Sequence, residues 1–190
     1  MSSPASPWDV PDLVGAALRE SLRIGYLDST RSETGRLLAT LAASRTGTIA
    51  DLGTGCGVGA AWLRTGAPEA TRVVTVERDP HLARTAGRLF AGTGVRVLTG
   101  DWSTLDWAAH GISALSLVTL DMSTARGARD RLVELLAPGA LLVIEDPHSW
   151  PDVGTDRDSI ALQSWMHDGR LLCCEVAAAP DAGVLLCTRI

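Results

Sequence analysis

The stretch IADLGTGCGVGAAWL, residues Ile49–Leu63, places four glycines at alternate positions just after an acidic residue, Asp51. A short strand-like run, Thr48–Leu52, precedes the glycines and a helical pattern, Gly57–Thr65, follows them. Backbone N–H groups at the start of a helix point outward and carry positive potential, and glycine leaves them open to a ligand. The stretch therefore predicts a strand–turn–helix unit whose turn binds a ligand, with a purely structural turn as the alternative.

The rest of the chain alternates strand-like and helical segments. Strict alternation predicts right-handed β–α–β units on a parallel sheet that is covered on both faces. The chain ends differently, because its last two apolar runs are joined only by PDAG (residues 180–183), which is too short for a parallel crossover. We expect an α/β, Rossmann-like, doubly wound fold with a mainly parallel seven-stranded sheet that ends in an antiparallel C-terminal hairpin. Strands are predicted at 48–52, 72–77, 95–100, 114–121 and 140–146, and helices between them at 57–65, 81–91 and 125–136.

A chain of 190 residues suits one domain. Residues 1–12 contain three prolines and are predicted to form a flexible N-terminal arm. Residues 13–190 are predicted to form a single domain that begins with a helical cap, 13–46. Trp8, in the arm, has two options: it folds over the site, or it packs on a partner subunit in a homodimer.

The composition excludes several classes of protein. Apolar residues make up 46% and charged residues 21% of the chain, as in ordinary globular proteins. No apolar run approaches the roughly 18 residues of a membrane span, and the N-terminus lacks a signal-peptide pattern, so we expect a cytoplasmic protein without a membrane partner. The net charge of -5 and the scattered arginines argue against a nucleic-acid partner. The four cysteines show no zinc-ligand spacing and are expected to be reduced thiols.

Two classes of ligand compete for the glycine turn. In the dinucleotide pattern, Gly55, Gly57 and Ala60 would cradle a pyrophosphate and Glu77 would bind the ribose, as in an NAD-dependent oxidoreductase. Asp51 at the turn would repel a pyrophosphate but attract a cation. We therefore rank the oxidoreductase second.

The string Asp51-x-Gly53-x-Gly55-x-Gly57 resembles motif I of the class I S-adenosylmethionine-dependent methyltransferases. The cofactor of that family is a sulfonium cation that carries an amino acid. The resemblance implies that Asp51 and the loop Gly53–Gly57 bind the methionyl part of S-adenosylmethionine.

Acidic residues at the ends of the next two predicted strands also match the pattern of this family. The resemblance places Glu77, at the end of the second predicted strand, on the two ribose hydroxyls. GDW (residues 100–102) follows the third strand, where the family has an acid against the adenine amino group and often a flat neighbour. Asp101 and Trp102 fit these roles, and the C-terminal hairpin also matches the family.

The segment STRSETGRLL, residues Ser29–Leu38, resembles the start of the catechol and caffeoyl-CoA type O-methyltransferases. Ser32, Glu33 and Gly35 match the family pattern, whereas its proline is absent. The resemblance implies that this segment caps the cofactor site, with Thr30 to Glu33 near the cofactor and Glu33 as a cofactor-binding residue. It also implies methyl transfer to a small acceptor, for which the tryptophans favour an aromatic molecule.

The family's metal site is only partly retained. Those enzymes usually bind a divalent cation through an aspartate after strand four and an Asp-Asn pair after strand five, with a lysine as base. Asp121 matches the first aspartate and is also expected to contact the cofactor, but Thr124 stands in the lysine's place. Asp146 matches the second aspartate, and Pro147 replaces the asparagine. Glu145 and Asp146 could still offer oxygens to a hard cation, so Mg²⁺ is left open, with Asp121 and Asp146 as candidate ligands.

Without the lysine, another group must act as the base. His148 is the natural candidate because imidazole titrates near neutral pH, and Asp121 and His148 are the predicted catalytic residues. The altered metal and lysine positions also leave open a methyltransferase-like binding protein that transfers nothing.

Overall fold

The structure, a computed structural model, describes residues 9–125, 128–146, 162–180 and 182–190. Seven strands form one sheet: β1 Thr48–Leu52, β2 Arg72–Glu77, β3 Val95–Thr99, β4 Leu115–Asp121, β5 Leu136–Asp146, β6 Leu171–Ala179 and β7 Ala182–Arg189. The strand order is β3-β2-β1-β4-β5-β7-β6. Strands β1 to β5 pair in parallel, whereas β7 is antiparallel to both β5 and β6. The predicted doubly wound sheet and its C-terminal hairpin are confirmed.

Helices cover both faces of this sheet. They are α1 Asp12–Ile24, α2 Ser32–Ala42, α3 Val58–Gly66, α4 Pro80–Leu89, α5 Met122–Ala125 and α6 Arg129–Leu135. Residues 162–166 are helical as well. One core joins α1 to α4 to the sheet face that carries Ile49, and a second core joins α6 to the opposite face, which carries Ala50. Adjacent β1 residues thus feed different cores, because side chains alternate along a strand.

Helices α2 and α3 pack unusually closely because glycines lie at their contact. A Cβ at Gly35 would lie 2.1 Å from Nε1 of Trp62, and a Cβ at Gly66 would lie 1.9 Å from the carbonyl oxygen of Ala39. Trp62 is 3% exposed and fills the core. Gly35, part of the O-methyltransferase-like segment, thus serves helix packing.

The structure differs from the sequence-based expectation in three places. The predicted helix at 125–136 is replaced by the short α5 and α6, and β5 begins at Leu136 because that residue already pairs with Leu115. Cys173 and Cys187, which face each other across the hairpin, form a disulfide instead of remaining reduced.

None of the described helices is long and apolar enough to cross a membrane.

Candidate active site

A cavity of about 750 Å³ lies at the carboxyl ends of β1 to β5. In open parallel sheets this edge, outside the strand ends, is where ligands bind. The volume falls within the range of small-molecule sites, about 300–1,000 Å³. The sequence-predicted site residues that line the cavity are Asp51, Gly53, Glu77, Asp101, Trp102 and Asp121.

The glycine turn meets the cavity only through its first glycine. Gly53 lines the cavity and adopts a φ of 95°, which favours glycine. Gly55 and Gly57 also have positive φ, but a Cβ on Gly55 would lie 2.8 Å from the Tyr26 ring, and one on Gly57 would lie 2.8 Å from Phe90. These two predicted cofactor residues thus make room for protein side chains, and neither lines the cavity.

Asp51 lies beneath the turn and is 5% exposed. Its Oδ2 accepts a hydrogen bond of 2.9 Å from Oγ1 of Thr75. Burial raises the pKa of Asp51 to about 8, and the Thr75 hydrogen bond opposes that rise only in part. A cationic ligand would favour the ionised form of this carboxylate.

Glu77 ties the glycine turn to the end of β2. Its Oε2 accepts from the backbone N–H of Gly55 at 2.8 Å, and its Oε1 accepts from that of Asp79 at 2.8 Å. The residue is 6% exposed and lines the cavity. Each carboxylate oxygen can accept a second hydrogen bond, so Glu77 can hold the turn and receive a ligand hydroxyl at the same time.

Asp101 and Trp102 form the cavity wall after β3. Oδ1 of Asp101 accepts from the backbone N–H and the hydroxyl of Ser103, at 2.9 and 2.7 Å, and these bonds lower the pKa of Asp101. Trp102 is 7% exposed, and its carbonyl accepts from Nε1 of Trp107. The strand end thus presents a charged acceptor beside a fixed aromatic ring.

The acid Glu145 lies beside Asp121 at the ends of β4 and β5. Strand register pairs Asp121 with Glu145, and Glu145 and Asp146 pair with Val184 and Gly183 of β7 on the other side. Glu145 lines the cavity, and its Oε1 accepts from Oγ1 of Thr119 at 3.0 Å and of Thr30 at 3.4 Å. Burial raises the pKa of Glu145 to about 7. Glu145 is therefore a β5 acid that lines the cavity beside Asp121. The side chain of Asp146 lies outside the described part of the structure, so its predicted role stays a prediction.

The cavity wall is strongly acidic. Among the described residues it carries seven carboxyl groups and one basic side chain, Arg78. The carboxyl groups belong to Asp28, Asp51, Glu77, Asp79, Asp101, Asp121 and Glu145. Such a wall favours a cationic ligand and disfavours the pyrophosphate of a dinucleotide.

Solved structures share this architecture over nearly the whole chain. The O-methyltransferase TomG from Streptomyces achromogenes, in complex with SAM, is 19% identical with a TM-score of 0.74, covering 95% of this chain and 91% of that one. An O-methyltransferase from Bacillus cereus in complex with SAH is 15% identical with a TM-score of 0.74, at 97% and 93% coverage. A methyltransferase from Geobacter sulfurreducens is 21% identical with a TM-score of 0.71, at 96% and 92% coverage. The chain has the class I methyltransferase fold. No protein-family model and no curated protein matches the sequence.

Besides Gly55 and Gly57, one more predicted cofactor residue, Glu33, does not line the cavity. Glu33 lies exposed in the first turn of α2 and does not line the cavity, because the chain has already entered the helix at Ser32. Thr30, two residues before the helix and at the start of the same predicted segment, does line it. His148 lies outside the described residues, as does Pro147.

Sequence reasoning named Glu145 only as a possible oxygen donor to a cation, and it missed Tyr26. Adjacent acids, Glu145 and Asp146, end a strand whose two faces are both covered, so no polar–apolar alternation indicated which one faces the cavity. Tyr26 lies between α1 and α2 without a motif, although it is the only tyrosine of the chain. Among the described residues, no group of three or more His, Cys, Asp or Glu is arranged to hold a metal ion.

Proposed function

We propose that this protein is an S-adenosylmethionine-dependent methyltransferase that acts on a small acceptor, in the manner of an O-methyltransferase. The observation that carries the proposal is the acidic cavity beside the glycine turn, at the carboxyl ends of parallel strands. Two solved proteins of the same fold are in complex with SAM and SAH, which supports the proposal. Those proteins are 19% and 15% identical to this chain, so their likeness supports the fold, and the acidic wall supports the cationic ligand.

The cavity wall suits each part of the proposed cofactor. Asp51 and the turn at Gly53 would hold the methionyl part, and Asp121 would face the same end. Glu77 would receive the ribose hydroxyls through the free capacity of its oxygens. Asp101 and Trp102 would hold the adenine, through a hydrogen bond and contact with the indole ring respectively.

Catalysis in this proposal depends mainly on positioning. The cofactor supplies an electrophilic methyl group on a positively charged sulfur. The protein would align the acceptor atom with that methyl group, and alignment alone lowers a reaction barrier substantially.

Deprotonation of the acceptor is the second task of the proposed enzyme, and Asp121 is one candidate for it. Asp121 lines the cavity and is held by Ser123 Oγ at 2.8 Å and the backbone N–H of Thr124 at 2.5 Å. We propose Asp121 and His148 as catalytic residues. The requirement for a divalent cation such as Mg²⁺ stays open as the sequence left it, with Asp121 and Asp146 as the candidate ligands.

The acceptor would be a small molecule, with a flat aromatic one favoured. A cytoplasmic location and a homodimer stay predictions from the sequence. The NAD-dependent oxidoreductase has no supporting observation, because the seven carboxyl groups oppose a pyrophosphate.

Turnover tests the proposal against a non-catalytic binding protein. The full chain is incubated with methyl-labelled S-adenosylmethionine and a panel of phenols, amines and carbon acids, with and without Mg²⁺, and labelled product and S-adenosylhomocysteine are measured. We expect product with at least one small hydroxyl acceptor. Tight cofactor binding with no product from any acceptor would favour the non-catalytic alternative.

A further inference from the structure

The segment between α1 and α2, Gly25–Arg31, forms one wall of the cavity and is called the strap below. Tyr26, Asp28, Ser29 and Thr30 of the strap line the cavity. The same four residues line a second, small cavity of about 30 Å³ that reaches the glycine turn at Gly53 and Gly59. The strap thus lies directly over the turn.

The strap is fixed at both ends. At its start, the backbone N–H of Tyr26 donates to the carbonyl of Ser21 at 2.9 Å, and the hydroxyls of Ser21 and Ser29 are 3.0 Å apart. At its end, Oγ1 of Thr30 donates to Oε1 of Glu145 at 3.4 Å. These contacts join the strap to α1 and to the far side of the cavity, so its side chains have defined places.

Tyr26 uses the space that Gly55 leaves open. A Cβ on Gly55 would lie 2.8 Å from three ring atoms of Tyr26: Cε1, Cζ and the hydroxyl oxygen. The hydroxyl end of the ring therefore touches the turn itself. That hydroxyl makes no hydrogen bond to another described residue, which leaves its donor free for a ligand.

The acidic wall leaves the carboxylate of the proposed cofactor without an evident positively charged partner. The proposed cofactor is a cation overall, but its amino acid carries a carboxylate, which must lie in a cavity lined by seven acids. The chain contains no lysine. The hydrogen bonds from Ser103 and, to a smaller extent, the charge of Arg78 lower the pKa of Asp101, so Arg78, the one basic residue of the described wall, lies at the end assigned to adenine. A neutral hydrogen-bond donor at the turn can hold the carboxylate without a positive charge.

We propose that the Tyr26 hydroxyl binds the carboxylate of S-adenosylmethionine by donating a hydrogen bond to it. This inference rests on the proposed function. Burial and the charges of Glu77, Asp28 and Asp121 raise the pKa of Tyr26 to about 12. The phenol therefore stays protonated around neutral pH and can act as a donor there, but not as a base.

Binding calorimetry on three proteins and two ligands tests this assignment. The proteins are the wild type, Tyr26→Phe, which removes only the hydroxyl, and Leu27→Ala. Leu27 belongs to the strap but is 85% exposed and lines neither cavity, so it provides the matched control. The ligands are S-adenosylmethionine and its decarboxylated form, which differ in the carboxylate alone. Thermal unfolding confirms that each variant is folded.

We expect Tyr26→Phe to weaken S-adenosylmethionine roughly ten-fold or more, as for loss of a hydrogen bond to a charged group. It should leave the affinity for the decarboxylated ligand unchanged, and Leu27→Ala should bind both ligands as the wild type does. Equal affinities of Tyr26→Phe and wild type for S-adenosylmethionine would overturn the inference, as would an equal loss for both ligands. In either case the proposed function stands if the wild type binds, whereas a wild type that binds neither ligand contradicts the proposed function as well.

Discussion

Glu77 connects the glycine turn with the cavity, since one carboxylate accepts hydrogen bonds from the backbone of Gly55 and Asp79. The turn owes its shape to these bonds as much as to its glycines. A ligand bound at Glu77 therefore contacts a group whose position is already fixed, which reduces the entropy lost on binding.

Glu77→Ala tests this role. Loss of the carboxylate removes both backbone bonds and the proposed ribose contacts, so we expect S-adenosylmethionine to bind at least roughly 100-fold more weakly, about 2.7 kcal/mol. Calorimetry measures the change. Glu69→Ala, an exposed glutamate outside the cavity, is the control and should bind as the wild type does. A Glu77→Ala protein that binds normally would remove Glu77 from the site.

Thr124 stands where the O-methyltransferase pattern that the sequence resembles has a lysine, and it lines the cavity. Its backbone N–H, which donates to Asp121, survives in Thr124→Ala. We expect turnover to fall by less than roughly three-fold, about 0.65 kcal/mol. Steady-state kinetics measure this change. A large loss in kcat would show that the hydroxyl takes part in the reaction.

The sequence allowed a cavity residue to be predicted where an acidic side chain lies at or near the end of a predicted strand. Asp51, Glu77, Asp101 and Asp121 each follow or end a strand, and the parallel sheet brings all four to one cavity. The sequence named Glu145 and Asp146 together but not which of them lines the cavity, because a shift of one residue along a strand changes which side chain faces the cavity.

At the scale of elements, the contact of α2 with α3 supports the turn, since α3 begins directly after it. This contact requires Gly35, whose missing side chain admits the Trp62 indole ring. The amphipathic pattern predicted both helices. It could not show how closely they approach, because that distance depends on which glycine meets which aromatic ring.

Gly35→Ala tests the close approach. The added Cβ would overlap the Trp62 ring, and we expect a loss of roughly 1–3 kcal/mol in the free energy of unfolding, as for other overpacked sites. Denaturant unfolding measures it. Gly87→Ala in α4 is the control, because no atom lies within 4 Å of its added Cβ. That control should be neutral or up to about 1 kcal/mol stabilising; equal stability of both variants and the wild type would contradict the close packing.

The first and last residues of a strand agree with the prediction where local sequence determines them. They differ where pairing with a neighbouring strand determines them. Strands β1 and β2 begin and end at the expected residues. β5 begins four residues before the predicted 140, because pairing with β4 extends it. The hairpin followed from the shortness of PDAG, but the facing of Cys173 and Cys187 depended on register.

At the scale of the whole molecule, the acidic cavity links stability to pH. Burial raises the pKa of Asp51 from 3.8 to about 8, so the folded state holds a proton there that the unfolded state releases. The resulting stabilisation is fully present below pH 3.8 and is lost as the pH rises through about 8. A cationic ligand counteracts this loss because it favours the ionised carboxylate.

We therefore expect the ligand-free wild type to unfold at a lower temperature at pH 9 than at pH 6. Asp51→Asn, which does not titrate, should show a smaller decrease between the same two pH values. Scanning calorimetry in buffers of matched ionic strength measures both proteins. A decrease of the same size in Asp51→Asn would show that Asp51 does not cause the pH dependence.

The central claim is that this acidic cavity accepts a cationic methyl donor and not a dinucleotide. Isothermal titration of the full chain with S-adenosylmethionine and, separately, with NAD tests it most directly. The account predicts saturable binding of S-adenosylmethionine at one site per chain and no measurable heat with NAD. Binding of NAD without binding of S-adenosylmethionine would contradict the account.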